Sequence, residues 1–300
     1  KEVKNHIGTI RNLLFLGSFI TLIGGALGAY YILDISFEIS LLFGALVIVT
    51  GPTVIRPILQ NVKPSKSIAT ILKWEGVLID PIGAFVTVLI YEFIITGGAS
   101  GTYTALVSFL LTILSGIAVG TIMAYFTYLL LKNKWSPHYL KNTIILAICV
   151  FAYALSDFFH EESGLLAVTI MGIVISNSGL KDVKSILSFK EDITMILISI
   201  LFITLSSRIS MHDIEMIGLE SLIVLGLLMF VVRPLSVFLC SIGSTKLSFQ
   251  EKLFISYISP RGIISAGIAS VFTLKISSGY ITGINQELVK DAQMLIPLTF

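Results

Sequence analysis

Charge is what this 300-residue chain lacks most. Asp, Glu, Lys and Arg together make up 13% of it, about half of what soluble domains carry on their water-facing surfaces. With 55% hydrophobic residues and a mean hydropathy of +0.95, that shortage excludes a soluble enzyme and a disordered chain. A net charge of +2 offers no basic face for nucleic acid. Cysteine is almost absent too. Cys149 and Cys240 both lie inside apolar runs, which argues against a disulfide framework or a thiolate zinc site and for two small buried side chains. The four His residues are scattered. His160-Glu161-Glu162 begins like a zinc-protease helix, but position 164 is Gly and no second His follows. Neither a cofactor nor a nucleotide site is expected.

Long apolar runs are abundant. They cover 12–33, 39–58, 67–96, 104–131, 141–157, 163–179, 191–207, 216–241 and 252–274, and a tenth begins near 291. Most are long enough for a helix to cross the roughly 30 Å of a bilayer's hydrocarbon. Fifteen of the twenty Lys and Arg fall on one side of these runs and three on the other, with Arg233 and Arg261 inside spans. The asymmetry places residue 1 in the cytoplasm. No hydrophilic domain or long linker interrupts the pattern, so residues 1–300 read as a single all-α, polytopic membrane domain of about nine complete spans and the start of a tenth. The chain starts in a basic loop and stops inside a fresh apolar run, as a segment of a longer transporter would.

Ionisable groups inside hydrocarbon cost several kcal/mol unless paired or hydrated, so each is a functional candidate. Glu75, Asp80, Arg233 and Arg261 lie within spans, and Asp157 lies nearer a span end. Asp80 is mid-span, followed by Pro81, which removes a backbone donor and frees a carbonyl one turn earlier. A desolvated carboxylate there can hold a proton or a monovalent cation in competition. Glu75, five positions earlier, projects from another side of the helix. It is expected to pair with an intramembrane Arg, either Arg233 or Arg261.

Two spans also carry helix breakers. Thr50-Gly51-Pro52-Thr53 interrupts the second, and Ser259-Pro260-Arg261-Gly262 the ninth. Unwound backbone at membrane depth is tolerated only where protein or a cavity surrounds it. The two spans run in opposite directions, so spans 1–3 and 8–10 read as inverted repeats, each with a broken middle helix, the pattern that marks a transporter's midplane site. Gly24, Gly25 and Gly28, and the Gly116/Gly120 pair, read as faces for close helix packing.

Val49-Thr50-Gly51-Pro52-Thr53-Val54, Trp74-Glu75-Gly76-Val77-Leu78-Ile79-Asp80-Pro81, Ser163-Gly164-Leu165-Leu166-Ala167, and the pair Arg233-Pro234-Leu235-Ser236-Val237 with Ser259-Pro260-Arg261-Gly262 follow one another in this order. Together they resemble the sodium/proton exchanger family, in its NhaP-like branch of monovalent cation:proton antiporters. The resemblance implies an inverted-repeat antiporter fold with two broken crossing helices, lacking here about three N-terminal helices and most of the last. It makes Asp80 the cation and proton carboxylate and a transient ligand of the monovalent cation. Thr50 becomes a ligand from the unwound segment beside Gly51 and Pro52. Glu75 becomes the partner of Arg233, and Arg261, next to Pro260, the support of the second break. It further implies a multi-pass protein of the plasma or inner membrane and a homodimer for the full-length protein. Three positions depart from the family pattern: Gly51, Gly76 and Ile79 stand where it has Asp, Ser and Asn.

The function expected is therefore exchange of Na+, with Li+ or K+ as possible alternatives, for H+ by alternating access, without enzymatic chemistry. Three other readings compete with it. They are a K+/H+ exchanger of the same fold, a transport-inactive paralogue serving as a sensor or structural subunit, and an intramembrane aspartyl hydrolase built on Asp80 and Asp157.

Overall fold

The computed structural model describes residues 6–51, 55, 58–59, 61–95, 102–133, 135, 137, 139–160, 163–178, 183–208, 211–242, 247–258, 263–277 and 286–299. The described residues form helices and connecting segments, with no strand among them. Apolar chain in hydrocarbon must satisfy its own backbone, and the helix does this within one segment. In chain order the helices are α1 (Ile7–Ile32), α2 (Phe37–Ile48), α3 (Lys66–Ile95), α4 (Thr102–Lys132), α5 (Lys141–Phe159), α6 (Gly164–Ser176), α7 (Val183–Arg208), α8 (Gly218–Cys240), α9 (Phe249–Tyr257), α10 (Ile263–Ser277) and α11 (Gln286–Thr299). Five of them, α1, α3, α4, α5 and α8, are long and apolar enough to cross a membrane unaided. A further helical segment runs into α8 from Met211, and Gly218 marks the kink with φ 63° and ψ −174°, a conformation open to glycine alone.

The second and ninth apolar runs are each divided. α2 stops at Ile48, Val49 is extended at φ −67° and ψ 116°, and residues 49–51 are non-helical before helix resumes at residue 55. α9 stops at Tyr257, Ile258 leaves the helical region at φ −92° and ψ 88°, and α10 opens at Ile263. α3, by contrast, is continuous through Pro81 over thirty residues.

The chain divides into two compact units, Lys1–Ile95 with Phe202–Phe300, and Thr96–Leu201. In the first unit α1 lies against both α2 and α8. A Cβ on Gly25 would come within 3.0 Å of the Gly44 Cα, and one on Gly44 would strike the Leu22 carbonyl, so α1 and α2 meet backbone to backbone. Gly24 faces Val232, Gly28 faces Leu227, and Asn12 donates from Nδ2 to the Cys240 carbonyl at 3.3 Å, which sets α1 and α8 antiparallel. Each of these two helices contains one π-helical turn, Leu13–Gly17 in α1 and Leu228–Val232 in α8. Aromatic stacking of Tyr91 on Phe272, centroids 4.3 Å apart, joins α3 to α10.

The second unit is built from α4, α5 and α6. Gly116 receives the Leu166 side chain, and Gly120 lies under the Ala167 backbone, where a Cβ would be 2.5 Å from the carbonyl oxygen. Its core is Val119, Met123, Ala124, Ile148, Ala152, Ala167, Met171 and Ile175. Its buried hydroxyls are satisfied locally: Thr127 donates to the Met123 carbonyl at 2.8 Å, and Ser163 bonds both the Ser156 carbonyl and its hydroxyl at 2.7 Å.

Candidate functional site

α3 carries the two deep carboxylates, and the structure gives them opposite surroundings. Glu75 is 2% exposed and Arg233 7%. The guanidinium of Arg233, on α8, meets Glu75 in a two-pronged bond, Nη1 to Oε1 at 2.6 Å and Nη2 to Oε2 at 3.0 Å. The planar fork matches both carboxylate oxygens at once, which is the strongest pairing these groups make. Buried charge of this kind survives only when paired, and here the two cancel. Pro234 follows directly, inside α8 just after the π turn, where it removes one backbone donor from the helix.

Among the described residues Asp80 has no such partner. Its Oδ1 is buried with no hydrogen bond from any described residue. The unwound end of α2 packs on the same stretch of α3, at Gly83. Gly83, one turn further along α3, has no side chain and is covered by Val49, whose Cγ2 occupies the space a Cβ would need and whose backbone nitrogen would be 3.4 Å away. The extended Val49-Thr50-Gly51 segment thus runs over the turn of α3 that Asp80 begins. Thr50 is 4% exposed, and its Oγ1 is likewise buried without a hydrogen-bond partner among the described residues. Two orphaned oxygens on adjacent elements are costly in a dry interior unless something occupies them. Pro81 leaves the Val77 carbonyl without its usual donor, adding a further acceptor on the same helix. A carboxylate, a hydroxyl and freed carbonyls form the all-oxygen set that a hard monovalent cation or a hydrated proton takes.

The sequence-predicted residues therefore separate into groups. The structure brings Glu75 and Arg233 together, and sets the segment of Thr50 and Gly51 beside the Asp80 turn. Pro52, Pro260 and Arg261 lie outside the described residues. Asp157, whose Oδ1 is also without a hydrogen-bond partner, belongs to the other compact unit, as does His160, which bonds Thr112 Oγ1 through Nδ1 at 2.9 Å. Among the described residues no group of three or more His, Cys, Asp or Glu could hold a metal.

Sequence reasoning missed Ser236. It is fully buried on α8, one turn after Arg233, and its Oγ would stand 3.0 Å from a Cβ on Gly17. Its signal was its spacing, three residues after an intramembrane Arg in an otherwise apolar run. Gly83 was also missed, because nothing in a sequence distinguishes a glycine that seats another strand from one that merely thins a helix.

Comparison with known proteins follows the same lines. The family model described as "Sodium/hydrogen exchanger, transmembrane" matches residues 1–299. The Na(+)/H(+) antiporter 1 of Methanocaldococcus jannaschii is 27% identical over 295 residues, covering 91% of this chain and 66% of the relative. The K(+)/H(+) antiporter NhaP of Alkalimonas amylolytica is 28% identical over 260 residues, covering 84% of this chain and 44% of the relative. The chain thus spans less than two thirds of the length of these relatives. The solved structure of the sodium proton antiporter MjNhaP1 from Methanocaldococcus jannaschii at pH 8 superposes with a TM-score of 0.80 at 24% identity, covering 99% of this chain and 74% of that one. The fold is that of this antiporter, and with its helices, its breaks and a family match over almost every residue the chain belongs to the sodium/hydrogen exchanger family.

Proposed function

We propose that the protein is a secondary antiporter that exchanges a monovalent cation, Na+ first among them, for H+ at Asp80. The observation that carries this reading is the contrast on α3: Glu75 is paired with Arg233 in a two-pronged bond, whereas Asp80 Oδ1 is buried without a hydrogen-bond partner among the described residues. A carboxylate of this kind can be neutralised by one cation or by one proton. Competition between the two couples their movements, and exchange through a single acid is one for one. Asp80 and Thr50 are the ligands, with carbonyls near Pro81 and the α2 break completing the shell in place of the polar groups absent at Gly51, Gly76 and Ile79. Glu75 and Arg233 hold α3 to α8 without being loaded and unloaded. Pro52 and Pro260 keep the two crossings unwound, and Arg261 supports the second. In alternating access the loaded site faces one side and then the other, and a ligand drives that equilibrium only through its different affinity for the two states.

We place residue 1 on the cytoplasmic side of the plasma membrane on the strength of the Lys and Arg asymmetry, treat residues 1–300 as one membrane transport domain, and take the whole protein to be a homodimer. K+/H+ exchange is the second reading, favoured by relatives named as K+/H+ antiporters. The deciding experiment uses everted vesicles carrying the parent protein or Asp80→Asn, with Na+, Li+ and K+ titrated against a preformed pH gradient. Flux in the parent that disappears in the variant supports exchange through Asp80 and names the cation. Flux surviving in Asp80→Asn removes Asp80 from the role, and no flux from folded parent favours a transport-inactive sensor or structural paralogue.

A further inference from the structure

Each interrupted crossing starts beside another helix, and at both places a carboxylate links the two. Asp291, in the second turn of α11, accepts through Oδ2 from the backbone N–H of Ser36, the N-cap of α2, at 2.8 Å. Ser36 uses no side-chain cap of its own. Glu251, in the first turn of α9, accepts through Oε2 from the N–H of its N-cap Ser248 at 3.0 Å, while Ser248 Oγ accepts from the Glu251 N–H at 3.2 Å. The other oxygen of Glu251, Oε1, accepts from the hydroxyl of Ser65 at 2.7 Å. Ser65 immediately precedes α3, and its Oγ accepts from the Ile68 N–H at 3.5 Å.

A helix N-terminus carries about half a positive charge in its unpaired N–H groups. The carboxylate at the start of each crossing offsets that charge, and where α9 and α3 start side by side Glu251 serves both. In the inverted arrangement of spans 1–3 and 8–10, α2 corresponds to α9 and α3 to α11. Each crossing is thus tied at its start to the third helix of the other repeat. The Asp291 tie lies where the chain turns from α1 into α2, and the Glu251 tie lies at the opposite, lysine-rich ends of these helices.

We propose that Asp291 and Glu251 are a matched pair of positioning residues that fix the axial height of the two crossing helices against α11 and α3. α2 is twelve uninterrupted helical residues. It therefore transmits the height of Ser36 as a rigid rod to Val49-Thr50-Gly51 at its far end, and so sets where Thr50 stands along the Asp80 turn. The link to cation affinity rests on the antiport reading; the anchoring itself does not.

The test compares the whole native protein with Asp291→Ala and Asp291→Asn, reading amide hydrogen exchange along α2 together with cation-dependent flux. In Asp291→Ala the amides of Ser36–Ser40 and of Leu46–Thr50 both exchange faster. The half-saturating Na+ concentration rises about tenfold at an unchanged maximal rate, the scale of one lost hydrogen bond to a charged group. Asp291→Asn, which keeps an acceptor oxygen but not the charge, restores part of both effects. Unaltered exchange overturns the proposal, and so does faster exchange confined to Ser36–Ser40 with half-saturation unmoved, since that is a helix cap and nothing more. If the parent itself moves no cation, the antiport reading fails and the Leu46–Thr50 amides alone decide the anchor. Glu251→Ala is the mirror experiment, with faster exchange expected from Ser248 to Ile258.

Discussion

The two compact units are made of equally apolar helices, yet their interiors are held by different means. The unit containing α4, α5 and α6 packs by shape. Gly116 and Gly120 admit Leu166 and Ala167, and its buried Ser and Thr hydroxyls bond to carbonyls in their own neighbourhood. The unit containing α1–α3 and α8–α11 packs by shape as well, with Gly25 on Gly44, but it also buries an ion pair, the non-helical segment Val49–Gly51 and, among the described residues, orphaned oxygens on Ser36, Thr50 and Asp80. Satisfying every polar group is the stable solution in a dry interior. Among the described residues the first unit departs from it at several atoms, and the second at Asp157 Oδ1 alone.

The comparison is sharpened most by breaking the ion pair. Glu75→Gln leaves the Arg233 charge buried and unneutralised, and is expected to cost about 3–5 kcal/mol in unfolding of detergent-solubilised protein. Joint replacement by Glu75→Leu and Arg233→Met recovers most of that loss, because matched apolar groups remove both charges. An equal cost for the single and double variants would mean that the charges do not hold α3 to α8. Next in size is Gly120→Ala in the other unit. The new methyl meets the Ala167 carbonyl, and overpacking of this kind costs about 1–3 kcal/mol. Should Gly120→Ala prove costlier than Glu75→Gln, the division into a charge-held and a shape-held unit is wrong. Ser163→Ala removes two hydrogen bonds at the start of α6 and leaves the Ser156 hydroxyl without its partner, a loss of about 1 kcal/mol on the same thermal scale.

The smallest expected effect is a pH dependence at Glu251, outside the predicted span 252–274. Hydrogen bonds from Ser65, and then from Ser248, hold its carboxyl below the ordinary 4.5. A carboxylate lowered in the native state contributes its stability in full above 4.5 and loses it as the pH falls through the lower native value. Glu251 is largely solvated, so the contribution is screened and modest. Acid titration of unfolding should therefore show a slight extra loss below pH 4.5 that is absent from Glu251→Gln; identical acid limbs would show that Glu251 contributes nothing there.

Most of the fold could be read from residue order because hydrocarbon leaves few choices. The run 67–96 became α3 at Lys66–Ile95, and 141–157 became α5 at Lys141–Phe159. The break at Thr50-Gly51-Pro52 was visible for the same reason, since Gly and Pro together cannot continue a helix easily. At the site, intramembrane charge is rare enough that Glu75, Asp80 and Arg233 announced themselves. Residue order left Glu75 a choice between Arg233 and Arg261, because pairing across helices depends on which faces meet. Ser236 and Gly83 escaped notice because hydroxyls and glycines are common in membrane helices, and only the position of the neighbouring helix gives them meaning. The ties through Asp291 and Glu251 were hidden in the same way, as ordinary acids near helix ends.

The π turns at Leu13–Gly17 and Leu228–Val232 bear on how this chain should be compared with its kin. A turn of α-helix takes 3.6 residues, and a π turn takes up roughly one more while the helix continues. Each such turn is an extra letter absorbed mid-word. Matching either helix to a relative lacking the bulge calls for a one-residue gap in the middle of a membrane helix. Without that gap everything downstream is read about 100° out of phase. Gly24 and Gly28 would then be matched to lipid-facing positions, and Arg233, directly after the second bulge, would be matched to a neighbour of its true counterpart.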